Sequence, residues 1–248
     1  PYHHMHIWDK DGYGQIDFNL DDLSPHQHKG QLGWIIENSV IRQALWQQAE
    51  QDSGITFYTQ EKLSNLAFGE SEVFATFATQ APITAKLVVG ADGARSWVRS
   101  QMNISLTFRD YDQHAIVATI ETPQGHQNTA WQVFLPSGPL AFLPLKSIAS
   151  TQSSAQNSAQ DSSDLSSKAS ICPDLCSIVY STSPDDAARL IALEPEEFSK
   201  ELTAASDGKL GGIKLVSQRF TYPLAMRLAQ DFVKDRVILI GDAAHTIH

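Results

Sequence analysis

The sequence predicts a mixed α/β chain in two domains, an open α/β sheet domain and a sheet-rich companion, and three features carry that expectation. Two apolar runs, Leu87-Val88-Val89 and Val237-Ile238-Leu239-Ile240, each lead into Gly, Asp and small residues, the strand-to-loop transition of an open α/β sheet. One segment repeats its apolar residues at helical spacing through Ile41, Ala44 and Leu45. Beyond residue 105 the character changes, and long strand-like stretches follow one another. Residues 33–105 and 233–248 are assigned to the first domain, and residues 1–32 and 106–232 to the second.

Met5 and Ile7 alternate before Asp11-Gly12-Tyr13-Gly14, and Ile16, Phe18 and Leu20 alternate after it, which predicts a hairpin around that turn. Glu37-Asn38-Ser39 is a polar cluster suited to capping a helix, and Asp52-Ser53-Gly54 stops the apolar repeat that follows. Ile55-Thr56-Phe57-Tyr58 reads as a short strand, and residues 63–68 pair with 73–79 across a turn centred on Gly69. The runs at 87–89 and 236–240 have the pattern of strands covered on both faces. In the second domain, strands are expected at 114–121, 130–135, 140–145, 177–181 and 213–222, and helices at 184–193 and 195–205. Residues 147–170, rich in Ser, Gln and Ala, carry too little apolar surface to offset the entropy of ordering and predict a disordered insertion.

With 248 residues, 42% of them apolar, the chain can bury a substantial core. Its formal charge of −10 points away from nucleic acid, whose affinity comes from Lys and Arg displacing counterions. No apolar run reaches the roughly 20 residues of a transmembrane helix, and Pro1-Tyr2-His3-His4 has no signal-peptide character, so the expected location is cytoplasmic. Cys172 and Cys176 supply only half of a structural zinc site. His4 and His6 would share a strand face, but no acidic or thiol partner stands at a useful spacing, and no metal site is assigned. His245 and His248 could be general bases but, standing after the Gly-Asp stretch, are read as packing or hydrogen-bonding residues, and no G-x-S-x-G elbow supports a hydrolase.

The chemistry is expected where the two apolar strands end, at Gly90-Ala91-Asp92-Gly93-Ala94-Arg95-Ser96 and Gly241-Asp242-Ala243-Ala244-His245. Ligands of open α/β sheets sit beyond the carboxyl ends of the strands, where free amides attract phosphate. Gly and Ala let a large cofactor approach the backbone, while an Asp carboxylate either accepts hydrogen bonds from ribose hydroxyls or caps the helix. Each stretch alone is weakly specific, since Asp-Gly is also a common turn dipeptide.

Together, in this order and separation, the two stretches resemble the second and third fingerprints of the class A flavoprotein monooxygenases. The stretch from Leu32-Gly33-Trp34 through Glu37-Asn38-Ser39 to Trp46 is similar to the helix beside the flavin in ubiquinone-biosynthesis hydroxylases, and 138–145 and 241–248 are similar as well. Leu106-Thr107-Phe108, His114-Ala115 and 176–179 look most like the octaprenylphenol hydroxylase branch. The resemblance implies an FAD-binding domain of the glutathione-reductase-like Rossmann variety, incomplete here, beside a sheet-rich substrate domain. It further implies FAD and NAD(P)H as cofactors, and O₂ and a polyprenylated phenol as reactants, with peripheral membrane or biosynthetic-complex association.

Carried onto this sequence, the resemblance implies that Gly241, Asp242 and Ala243 hold the flavin, that Arg42 contacts it, and that Asp92, Gly93 and Ala94, with Arg95, Ser96 and Arg99 nearby, serve both FAD and NAD(P)H. It assigns no catalytic side chain, because the cofactor carries the chemistry. Trp131, Phe134, Phe142 and Leu143 are the expected substrate wall, with Trp131 and Phe142 foremost. The family's G-x-G-x-x-G turn is absent from this sequence, which therefore reads as an internal piece expected to hold FAD weakly and to be inactive by itself. A prenyl reductase or halogenase of the same fold, or a non-catalytic scaffold subunit, remain the alternatives.

Overall fold

The computed structural model describes residues 1–23, 30–145 and 174–246. The insertion expected at 147–170 lies outside the described residues, as do Cys172 and His248. In chain order the elements are β1 (His4–Asp9), β2 (Gln15–Asn19), α1 (Asn38–Glu50), β3 (Leu63–Phe68), β4 (Val73–Phe77), β5 (Ile83–Ala85), β6 (Val88–Gly90) and α2 (Trp97–Gln101). There follow β7 (Leu106–Thr122), β8 (Thr129–Leu135), β9 (Gly138–Leu145), β10 (Asp174–Thr182), α3 (Pro184–Ala192) and α4 (Pro195–Ala205). The last are β11 (Lys214–Leu215), β12 (Phe220–Ala229), β13 (Val233–Lys234), β14 (Val237–Leu239) and β15 (His245–Thr246). The chain divides into two compact units, Pro1–Ile41 with Gln113–Pro223, and Arg42–Asp112 with Leu224–His248.

In the first unit the strands lie in the order β7, β10, β9, β8, β1, β2, antiparallel except for the parallel pair β1 and β8. Period-two alternation sends Trp8, Ile116, Val133, Leu140, Phe142 and Ile178 to one face, where Leu190 of α3 and Phe198 and Leu202 of α4 cover them. Each fully buried Leu or Phe contributes about 1.5–3 kcal/mol to this layer. α3 starts where the Ser183 hydroxyl accepts the amide of Asp186, with Pro184 and two acidic residues in the first turn. α4 is fastened to the chain that follows it, because the Thr203 and Ser199 hydroxyls accept the amides of Ile213 and Leu215.

The second unit holds the antiparallel sheet β3-β4-β5 and the sheet β13-β14-β6, in which β6 and β14 are parallel. Its core gathers Leu66, Val73, Val98, Met102, Val237 and Leu239. α1 begins where Glu37 O accepts the amides of Val40 and Ile41, and ends at an Asp52 carboxylate that accepts the Gly54 amide.

Several sequence expectations are corrected. Residues 55–58 form no strand: Ile55, Phe57 and Tyr58 are exposed, and the Ile55 amide turns back to Asp52 O instead of pairing with a neighbouring strand. The strand expected at 213–222 is broken into β11 and β12, since the Ser217 hydroxyl takes the Thr119 amide in place of a backbone partner. The apolar runs of β6 and β14 are not covered on both faces, for Val89 is 50% exposed and Ile240 48%. Apolar composition fixed their strand character, but within this unit the described elements pack only one side. No helix among the described residues is long and apolar enough to cross a membrane.

Candidate cofactor site

β6 and β14 pair in parallel with Val88 beside Val237 and Gly90 beside Leu239, so the two Asp-bearing loops leave the same edge of the sheet side by side. The Ile240 amide, donating to Gly90 O at 3.0 Å, extends the pairing one step past the strands. Gly90 is required by proximity: a Cβ there would stand 2.9 Å from Leu239 Cδ2 and 3.0 Å from Val98 Cγ1. Gly93 and Gly241 are required by conformation, with φ of +83° and +56°, and nothing lies within 4 Å of where a Cβ would be. Open space therefore stands above both loops, and a large ligand can approach their backbone.

Asp92 is committed to its own loop. One carboxylate oxygen accepts the Ser96 hydroxyl at 2.5 Å and the other the Val98 amide at 3.0 Å, while Ser96 Oγ caps α2 by accepting the Arg99 amide at 2.9 Å. Partial burial pushes the Asp92 carboxyl up, but donation from the Ser96 hydroxyl and from backbone amides outweighs it and holds the group below the usual carboxylate range. Of the two roles open to this residue, the structure shows the cap. Asp242 differs, being exposed and without a hydrogen-bond or ion-pair partner among the described residues.

Arg99, 6% exposed, joins the loops: Nη1 donates to Ala243 O at 2.8 Å and Nη2 to Ala94 O at 2.9 Å. Sequence reasoning placed Arg99 only near the site; its five-donor fork was the available signal. Arg42 is exposed on α1 and Arg95 on the first loop, and neither has a partner among the described residues. The fold thus brings Asp92, Gly93, Ala94, Gly241, Asp242 and Ala243 to one sheet edge, whereas no contact ties Arg42 to it.

The expected substrate wall divides in two. Trp131 and Phe142 stand opposite each other on the helix side of the sheet; Phe142 has no exposed surface, so its ring is core and lines no cavity. Trp131 is half-buried, its indole N–H donating to His126 O at 3.2 Å. Phe134 and Leu143 point to the opposite face, with Phe134 47% exposed. That face also carries Ile7, Ile16 and Phe18.

A family model described as an FAD binding domain matches residues 19–248. The chain belongs to the FAD-binding domain family. The open glycine backbones at the sheet edge and the exposed carboxylate of Asp242, without a partner among the described residues, fit the cofactor of that family. Among curated members, ubiquinone hydroxylase UbiL of Rhodospirillum rubrum is 32% identical over 89% of this chain and 45% of its own. The mitochondrial ubiquinone biosynthesis monooxygenase COQ6 of Mus musculus is 30% identical over 100% of this chain and 54% of its own. For 3-demethoxyubiquinol 3-hydroxylase of Escherichia coli (strain K12) the identity is 27%, over 100% and 55%. The chain spans about half the length of these relatives. PqsL of Pseudomonas aeruginosa, described as a probable FAD-dependent monooxygenase, superposes with a TM-score of 0.74 at 16% identity, over 99% of this chain and 62% of that one. The flavin-dependent halogenase CmlS gives 0.66 at 15% identity, over 99% and 41%. At such identities the likeness speaks for the fold.

Proposed function

We propose that the protein is an FAD-dependent monooxygenase that hydroxylates the ring of a polyprenylated phenol in ubiquinone biosynthesis, using NAD(P)H and O₂. The observation that carries this reading is the parallel pairing of β6 with β14, which sets two Gly- and Asp-bearing loops side by side at one sheet edge with their glycine backbones open. The relatives named for ubiquinone hydroxylation supply the reaction class. Bound FAD would supply electron transfer from NAD(P)H and the activation of O₂.

In this reading Asp242 accepts hydrogen bonds from the cofactor's hydroxyl groups, and the backbone of Gly241 and Ala243 approaches its phosphate region. Asp92 shapes the first loop through its bonds to Ser96 and Val98, and Gly93 and Ala94 present that loop to the ligand. Arg42 is the cofactor contact offered by α1. The sheet face bearing Phe134 and Leu143 is the wall for the apolar substrate, orienting it by packing and keeping water away. A long prenyl tail partitions into lipid, which favours a cytoplasmic protein held peripherally at a membrane surface.

The test is aerobic NAD(P)H oxidation by the flavin-loaded full-length protein with a prenylated phenol. Oxidation stimulated by the phenol, with one oxygen atom gained by the ring, is expected. Chlorination of the ring or saturation of the tail without oxygen gain would overturn the reading. Asp242→Ala should lower bound flavin at least about ten-fold, the loss of one strong hydrogen bond to a charged group.

A further inference from the structure

The hairpin of β1 and β2 carries a polar pocket that neither the fold nor the flavin reading uses. His4 and His6 alternate onto one face of β1, about 7 Å apart along the strand, with Asn19 directly opposite the first and Asp17 opposite the second. His4 Nδ1 donates to Asn19 Oδ1 at 2.7 Å, and His6 Nδ1 to Asp17 Oδ1 at 2.5 Å. These oxygens only accept, so each Nδ1 holds its proton and each neutral ring keeps its lone pair on Nε2. His6 Nε2 is shielded from water and has no hydrogen-bond partner among the described residues. The ring is fixed further by Trp8 and Trp131, at centroid distances of 5.4 and 5.3 Å. In front lies a pocket of about 510 Å³ lined by both histidines, Asp17, Thr129, Trp131 and Lys209.

We propose that His4 and His6 bind one divalent transition-metal ion of the zinc class through their Nε2 atoms, with Asn19 and Asp17 as the orienting partners behind the rings. A metal-ligating histidine characteristically donates its other ring N–H to a carboxylate or a carbonyl oxygen, and both rings here do so. The imidazole lone pairs decide between cation and anion, because an unprotonated Nε2 can bind a cation and offers no proton to an anion; Asp17 stands half-exposed beside the rings, and Lys209, on the same pocket wall, lies over the Trp8 ring, 5.2 Å from its centroid. Among the described residues no group of three or more His, Cys, Asp or Glu side chains converges, so the ion has two protein ligands and completes its shell with water or an external ligand. The sequence hid the arrangement because the acidic partner of His6 lies eleven positions away across a turn.

The site is tested by titrating the metal-free protein with Zn²⁺ alone in a calorimeter, and with Co²⁺ alone by absorption. One ion per chain is expected, weakened at least about ten-fold in His4→Ala and in His6→Gln, and about ten-fold in Asp17→Ala, which removes only the orienting bond. His6→Gln preserves bulk and polarity, and an unchanged thermal transition in that variant shows that the fold is intact. Absence of saturable binding, or equal affinity in the His4→Ala/His6→Gln double variant, would overturn the assignment. Flavin content reports separately on the hydroxylase reading and should be the same in all these variants.

Discussion

The guanidinium of Arg99 donates to the carbonyl oxygen of Ala243 at 2.8 Å, binding the first Asp-bearing loop to the second. The companion bond to Ala94 O anchors the same side chain at home. Arg99→Met should leave the buried Ala243 carbonyl and the part-buried Ala94 carbonyl short of a donor and cost about 2–4 kcal/mol in urea denaturation. Arg99→Lys keeps the charge but not the fork, so it should recover part of that loss and still release flavin more readily.

Asp92 should reveal itself through pH. Its carboxyl is held below the ordinary value, so the stability it contributes is present above the unfolded pKa of about 4 and is lost as the pH falls through the folded value. The site is largely exposed, and its capping bonds are expected to contribute only about 1 kcal/mol. Asp92→Ala should therefore be less stable by about that amount at neutral pH, and the gap to the parent should close in acid. A gap that stays constant down to pH 3 would show that the carboxylate is not what matters.

Phe142 and Phe134 should separate stability from substrate use. Phe142→Ala empties a fully buried site in the core shared by the sheet and its covering helices, and a loss of about 3–5 kcal/mol is expected. Phe134→Ala should change stability by less than about 1 kcal/mol, while raising the KM for a prenylated phenol. Equal turnover of short- and long-tailed phenols by parent and Phe134→Ala would remove that face from the substrate wall.

Gly90→Ala drives a methyl group against Leu239 and Val98, the residues that hold β6 to β14 and α2. Overpacking of this kind costs about 1–3 kcal/mol. Because the displaced atoms lie under the two loops, flavin affinity should fall together with the melting temperature. Val98→Ala in the same chain should restore part of both.

Much of this architecture was legible because the relevant signals are local. The polar cluster at the start of α1, the turn at Gly69 and the Pro-initiated helices at 184 and 195 each declare themselves within a few residues. The Gly-Asp loops were legible as a pair, since strand ends and glycines mark a sheet edge, although only the register of β6 against β14 shows them adjacent. What escaped depends on distant partners. Arg99 finds Ala243 across 144 positions, and residues 55–58, apolar enough for a strand, find no strand to pair with. The four residues of the expected substrate wall divide for a different reason: residues 131 and 134, or 142 and 143, differ by an odd number and cannot share a face of a regular strand, a parity readable beforehand.

That parity also limits how β8 can change over generations. Val133 faces the helices and Phe134 the other side, so inserting or deleting one residue upstream in the strand would turn every side chain beyond it through the sheet. Indoles and aliphatic groups would meet solvent while polar neighbours were thrust under α3 and α4. Length variation is thereby confined to the turns, and any retuning of this sheet face has to proceed by exchange of one side chain at a time.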